Sequence, residues 1–75
     1  MTEREEQLAR VVHGAVAFGA SAAEAVRLSG GSLPVLALAI TFVDPNESTP
    51  VGWQDVIRVL QAAIAAVRSA EDEPG

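Results

Sequence analysis

The sequence of 75 residues contains no cysteine, no lysine and a single histidine. Without cysteine the chain forms neither a disulfide nor a thiolate metal site, and one histidine among scattered carboxylates does not make a zinc site. A domain of this size removes only about 60% of its unfolded surface from water, so it is marginally stable without such supports. We therefore predict no metal and no cofactor, and we expect support from oligomerisation or from another domain.

Charge is unevenly distributed along the chain. The net charge is −5, and segments 1–6 and 71–73 account for all of it. In the body, residues 7–70, the arginines and the carboxylates balance to zero. A neutral body between acidic ends has little to attract a charged substrate or a nucleic acid. We therefore predict no nucleic-acid partner.

Long hydrophobic runs are also missing. The longest, residues 33–43, has 11 residues and includes Pro34 and Thr41, whereas a membrane span requires about 20. The acidic N-terminus lacks the basic region of a secretory signal. We therefore predict no membrane partner and a cytoplasmic location.

No arrangement of residues in the sequence points to catalysis. His13 is the one histidine of the chain, and we interpret it as a surface or partner-facing ring because nothing completes a triad around it. Ser21 and Ser32 fit helix caps better than nucleophiles, since neither lies in a nucleophile-elbow motif. No lysine or arginine follows Gly30-Gly31, so a phosphate-binding loop is not indicated. The chain is predicted not to be an enzyme.

The sequence does contain the start and stop signals of four helices. A serine or threonine stands before each predicted helix. In the first two helices a glutamate follows three residues after this cap residue. In the last two helices a proline lies in the first turn. These cap residues are Thr2, Ser21, Ser32 and Thr49. The predicted fold is all-α, a compact bundle of four helices at 3–18, 22–29, 33–42 and 50–69, joined by short loops rich in glycine and proline.

Residues 35–43 fit two element types. The segment is apolar on every side, which fits either a fully buried helix or a buried strand. Helix is favoured because alanine and leucine are weak strand signals and no partner strand is evident.

Helix 2, the Gly-Gly turn and helix 3 have the outline of a helix-turn-helix. The recognition position, residues 34–38, nevertheless offers no donor to a base edge.

The predicted core depends on few large side chains, because much of the apolar content is alanine, which buries little surface. In helix 1 the apolar residues at positions 8, 11, 12, 15 and 18 are predicted to face the core. The full set of expected anchors is Leu8, Phe18, Leu28, Leu36, Leu38, Ile40, Phe42, Trp53, Ile57, Leu60 and Ile64.

Helix 4 carries more apolar surface than one neighbouring layer covers. A stripe from Trp53 to Val67 is predicted to face the core, while a second, shallower apolar face at positions 59, 62, 63, 66 and 70 lies beside it. Trp53 fits either an anchor that packs the start of the helix onto the core or a residue with part of its ring at a partner interface. Asp55 and Arg58 fit either a solvated pair or residues that select a partner. The predicted interaction residues are Val59, Ala62, Ala66, Trp53, Arg58 and Asp55.

These observations predict a small non-catalytic protein–protein interaction module. It would be an adaptor or assembly unit that self-associates or docks onto a like helical domain, as the N-terminal domain of a larger bacterial-type signalling or assembly protein. Residues 1–70 would form the domain and residues 71–75 an acidic disordered tail or linker stub. Two alternatives remain: a helical domain that binds a small apolar ligand between helices 3 and 4, and an accessory or antitoxin-like subunit that neutralises a basic partner.

Overall fold

Four α-helices form the part of the chain that the computed structural model describes, residues 2–44, 46 and 52–72. The helices are α1 (Glu3–Ala17), α2 (Ala22–Ser29), α3 (Leu33–Thr41) and α4 (Trp53–Asp72). The predicted all-α fold is confirmed, and α3 is a helix rather than a strand. Each helix contacts the other three; α1 packs mainly on α3, and α2 mainly on α4.

Side-chain caps begin α1 and α3 as the sequence predicts. Thr2 Oγ1 accepts the backbone N–H of Glu5 at 3.2 Å, and Glu5 Oε1 accepts the backbone N–H of Thr2 at 3.2 Å, which completes a capping box. Ser32 Oγ accepts the N–H of Val35 at 3.4 Å. Pro34 lies in the first turn of α3, where its missing N–H has no helical partner to lose.

The cap of α2 is only half of the expected box. Ser21 Oγ accepts the backbone N–H of Glu24 at 3.3 Å. The Glu24 carboxylate accepts a hydrogen bond from Arg27 on the next turn. The start of α2 therefore depends on the serine, while the glutamate forms a surface ion pair.

The turn between α2 and α3 uses two glycines in the left-handed region. Gly30 has φ 66° and Gly31 has φ 75°, a conformation that is strained for residues with a side chain. The N–H of Gly31 donates to Val26 O at 3.1 Å, which closes the end of α2. Buried Ser29 also donates through Oγ to Val26 O at 2.9 Å. This turn bends the chain by 115° between the two helices.

The buried core consists of small side chains. Leu36 and Leu60 are its largest members, and the rest are valines and alanines. The dimensions of the molecule, 42 × 25 × 16 Å, make it thin in one direction, so little space lies far from the surface. The core residues are Ala9, Val12, Val16, Ala17, Ala25, Val35, Leu36, Ala39, Val56, Leu60, Ala63 and Val67.

Most of the large residues expected in the core lie at its edge instead. The expectation for Phe18 is wrong, because this side chain is 85% exposed. Val11, seven residues earlier on the same face of α1, is 54% exposed. The other large anchors apart from Leu36 and Leu60 are half-buried: Leu8, Leu28, Leu38, Ile40, Phe42, Trp53, Ile57 and Ile64.

The face that α1 buries is therefore turned from the predicted one. Ala9, Val12 and Val16 are at most 1% exposed, and their spacing of three and four residues defines one side of the helix. α3 is also less enclosed than predicted, because Pro34 and Ala37 are exposed.

Helix ends differ from the predicted bounds by a few residues. α1 ends at Ala17 and α3 at Thr41, each one residue early, and α4 begins at Trp53. α4 continues through Asp72, so residues 71 and 72 belong to the helix and not to the predicted disordered tail. The predicted Thr49-Pro50 start and residues 73–75 lie outside the described residues.

Candidate interaction surfaces

α4 presents one buried face. Val56, Leu60, Ala63 and Val67 are buried at spacings of four, three and four residues, as expected for a helix packed along one side. Ala63 belongs to this face with no exposed surface, although its position predicted the second apolar face.

The alanine face, defined here as Val59, Ala62 and Ala66, lies beside the buried face. Val59 is half-buried and packs against the core. Ala62 and Ala66 are exposed and lie one turn apart on the same side of the helix. The structure therefore brings these three predicted interaction residues together along one side of α4.

The other three predicted interaction residues lie in the first turns of α4. Trp53 is its first residue and is half-buried, so part of the ring faces solvent. Arg58 Nη1 lies 3.5 Å from Asp55 Oδ1, and both side chains are exposed. Exposed pairs of this kind contribute little to stability. Because both side chains are exposed, both charges are accessible to a partner.

A groove, which sequence reasoning did not locate by residue, lies between the end of α3 and the second half of α4. Its volume is about 670 Å³, and it is open to solvent. Ile40 from α3 and Ile64 and Ala65 from α4 give it an apolar lining, while Arg68 and Asp72 contribute charged groups. We call this feature the α3–α4 groove.

His13 and Arg10 hold the end of α3 against α1. The ring of His13 meets the ring of Phe42 edge-on, with centroids 6.3 Å apart and an angle of 82°. The guanidinium carbon of Arg10 lies 4.7 Å from the Phe42 centroid, within range of a cation–π interaction. His13 is half-buried in this contact, so the structure gives it a packing partner within its own chain.

The α2–α3 pair has the 115° bend of a helix-turn-helix. The exposed residues of α3, the helix that would read DNA, are Pro34, Ala37 and Thr41. Thr41 Oγ1 donates to Leu38 O at 2.6 Å. This helix therefore lacks the donors with which a recognition helix reads base edges.

The described part of the chain has neither a metal-binding cluster nor a single helix that could span a membrane. No group of three or more His, Asp or Glu residues there is arranged to hold a metal ion. No single helix among residues 2–44, 46 and 52–72 is long and apolar enough to cross a membrane, and α2 with α3 reaches that length only as a sharply bent pair.

The Glu24–Arg27 pair gives a testable pH effect. The hydrogen bond from Arg27 lowers the pKa of the Glu24 carboxyl below its ordinary value. Because the folded pKa is lowered, the stabilisation is present above the ordinary pKa and is lost as pH falls through the lowered one. We expect Arg27→Ala to raise the pKa of Glu24 toward its ordinary value in an NMR titration of the carboxyl carbon. An unchanged pKa would contradict the contact; stability itself should change little, since both groups are exposed.

The chain matches no protein-family model, no curated protein and no solved structure. A functional proposal therefore depends on the surfaces of the chain itself. Sequence reasoning missed the exposure of Phe18, and it placed a cavity between helices 3 and 4 without naming the residues that line it. The apolar residues of α1 form two alternative stripes, and this ambiguity was the one signal that Phe18 could be exposed. The lining of the groove combines Ile40 of α3 with residues of α4, which no pattern within one helix specifies.

Proposed function

We propose that this chain is a non-catalytic protein–protein interaction module that self-associates, or docks onto a like helical domain, through α4. The observation that carries the proposal is the placement of the large apolar side chains. The core is filled mainly by alanine and valine, while on α4 Trp53, Val59 and Ile64 retain exposed surface, and Ala62 and Ala66 are exposed. Removing such apolar surface from water lowers the free energy, so these side chains favour association with a partner.

The alanine face is the part of α4 best suited to a second helix. Distances between packed helix axes depend on the side chains at the contact, and alanine at positions 62 and 66 permits a close approach. Val59 supplies a larger apolar side chain on the same side. The interface would thus be continuous with the core through this residue.

Polar groups near Trp53 give such an interface its selectivity. Asp55 and Arg58 are exposed within the first two turns of α4. In an interface they would favour a partner with complementary charges and reject one with like charges, while adding little affinity. A second copy of α4 carries both signs and can satisfy both groups. The module would accordingly serve as an assembly or adaptor unit.

Sedimentation equilibrium from low to high micromolar concentration, at low and high salt, tests the proposal. We expect a concentration-dependent oligomer that persists at high salt, because apolar contacts are not screened. Ala62→Glu combined with Ala66→Glu should shift the equilibrium toward monomer by placing unpaired charge in the interface.

The matched control is Gln54→Glu, which adds one negative charge to an exposed position on a different face of α4. It is compared with Ala66→Glu alone, so the charge change is equal. We expect Ala66→Glu to weaken association and Gln54→Glu to leave it unchanged. A wild-type chain that stays monomeric throughout, or equal effects of both variants, would contradict self-association through the alanine face.

The α3–α4 groove supports a second candidate function, binding of a small apolar ligand. Its lining combines the apolar side chains of Ile40, Ile64 and Ala65 with the guanidinium of Arg68. Ligand sites commonly bury about 70–90% of the ligand surface, however, and this groove is open. A thermal shift with fatty acids, lost in Arg68→Ala, would support this candidate; no shift with any fatty acid or isoprenoid would exclude it.

A further inference from the structure

We infer that one contact in the self-association is head-to-tail: Phe18 of one copy inserts into the α3–α4 groove of a second copy. The inference rests on the proposed self-association and names a contact distinct from the alanine face. Its basis is an exposed aromatic side chain and a groove of matching chemistry at separate places on the same chain.

Phe18 is held outward by a fixed backbone. Its N–H donates to Gly14 O at 3.1 Å and to Ala15 O at 3.2 Å, so the residue is tied to the last turn of α1. Gly19, with φ 105°, then turns the chain away. The ring is 85% exposed, so its own fold gives this large apolar group almost no cover. A preformed position also lowers the entropy that a binding partner must offset.

Part of the groove lining suits an aromatic ring. Ile40, Ile64 and Ala65 provide apolar contact, and Arg68 provides a guanidinium at the same site. The remaining lining residues are polar: Gln61, Ser69 and Asp72. A guanidinium that lies over the face of an aromatic ring is attracted by the partial negative charge on that face. The chain already makes this pairing internally, where Arg10 lies 4.7 Å from the centroid of Phe42.

The proposed occupant is a second copy, because Phe18 does not line the groove of its own chain. The groove is lined by α3 and α4, whereas Phe18 is fixed to the end of α1 and faces solvent. A contact between different patches of two identical chains is heterologous, so it produces a ring or an open filament rather than a symmetric pair.

The size of the contact limits its strength. One phenylalanine buries about 150–250 Å², whereas a stable interface requires about 1,000 Å² or more. The contact alone should therefore be weak, with stable assemblies requiring the alanine face or ring closure as well. We expect Phe18→Ala to weaken the head-to-tail contact by about 10- to 100-fold, from the apolar surface lost.

A complementation experiment tests the inference. Both partners carry Ala62→Glu and Ala66→Glu, which removes any contribution from the alanine face. One partner also carries Phe18→Ala, which leaves its groove intact. The other carries Ala65→Arg, which blocks the groove with a long side chain and leaves Phe18 intact. Positions 18 and 65 are exposed, so both variants should fold, as circular dichroism would verify.

The readout is NMR of the ¹⁵N-labelled Phe18→Ala partner during titration with the unlabelled Ala65→Arg partner. We expect concentration-dependent shifts at Ile40, Ile64 and Arg68. A chain carrying both Phe18→Ala and Ala65→Arg is the control and should cause none. Shifts with the Ala65→Arg partner alone support the inference. No shifts up to millimolar concentration, or equal shifts with the control, overturn it.

These outcomes separate the inference from the proposed function. If Ala66→Glu weakens wild-type association and the titration shows no shifts, the alanine face stands and the head-to-tail contact fails. If the titration shows the shifts and Ala66→Glu has no effect, the head-to-tail contact stands and the alanine face fails. Phe18→Leu should bind less well than Phe18→Tyr, because leucine has no π face for Arg68.

Discussion

Replacing Leu36 with alanine is expected to lower the free energy of unfolding by about 2–5 kcal/mol. Leu36 has no exposed surface, and only Leu60 matches its size within the buried core. The substitution removes apolar contacts and leaves a cavity that a thin helical domain cannot easily fill. A domain of 75 residues has a total stability of roughly 4–11 kcal/mol, so the loss would take much of it.

Urea denaturation followed by circular dichroism measures this loss, and Leu38→Ala on the same helix is the matched control. Leu38 is only half-buried, so the same chemical change should cost clearly less. The comparison holds the helix, the residue type and the removed atoms constant and varies only burial. Equal losses for the two variants would show that the core does not centre on Leu36.

Replacing Ala63 with leucine is expected to destabilise the protein by about 1–3 kcal/mol. Ala63 has no exposed surface and lies on the buried face of α4, which contacts all three other helices. A larger side chain there must push a neighbouring helix away or adopt a strained rotamer. The effect has the opposite origin to that of Leu36→Ala, because it arises from too much volume rather than too little.

Ala62→Leu is the control for Ala63→Leu. Ala62 is exposed and adjacent in sequence, so leucine there should change the stability of the monomer by no more than about 0.5 kcal/mol. Thermal unfolding should be measured at low protein concentration, because an apolar residue on the alanine face would also strengthen association. A destabilisation by Ala62→Leu as large as that by Ala63→Leu would contradict the assigned burial of the two positions.

The helix starts were predictable because their causes are local. Ser32 caps α3 through the N–H of Val35, three residues away, and Thr2 with Glu5 forms a box over the same distance. Such contacts form within one turn and need no information from the rest of the chain. The end of α4 was less predictable: acidic residues at 71 and 72 continue the helix, where composition alone suggested a tail.

The orientation of α1 could not be read from the sequence because two apolar stripes compete on it. Phe18 made one stripe look stronger, since a phenylalanine buries more surface than an alanine. The chain instead buries Ala9 and Val16, and Phe18 falls just beyond the helix end. The choice depends on which side α3 and α2 occupy, which is information about distant residues.

For the candidate interaction surfaces, features within one helix could be predicted from the sequence, and features formed by two helices could not. An apolar excess on α4 follows from its own periodicity, and the alanine face lies where that pattern placed it, apart from buried Ala63. The α3–α4 groove depends on Ile40 of α3 lining the same space as Ile64 of α4, and no periodicity within one helix specifies that arrangement.

The order of helix contacts has a consequence for how the domain holds together. α1 packs mainly on α3, and α2 mainly on α4, so the principal pairs are interleaved along the chain. Cutting the chain between α2 and α3 separates both pairs at once, although α1 still contacts α2 and α3 still contacts α4. Unfolding should therefore be a single cooperative event in which the slowest amide protons of all four helices exchange together.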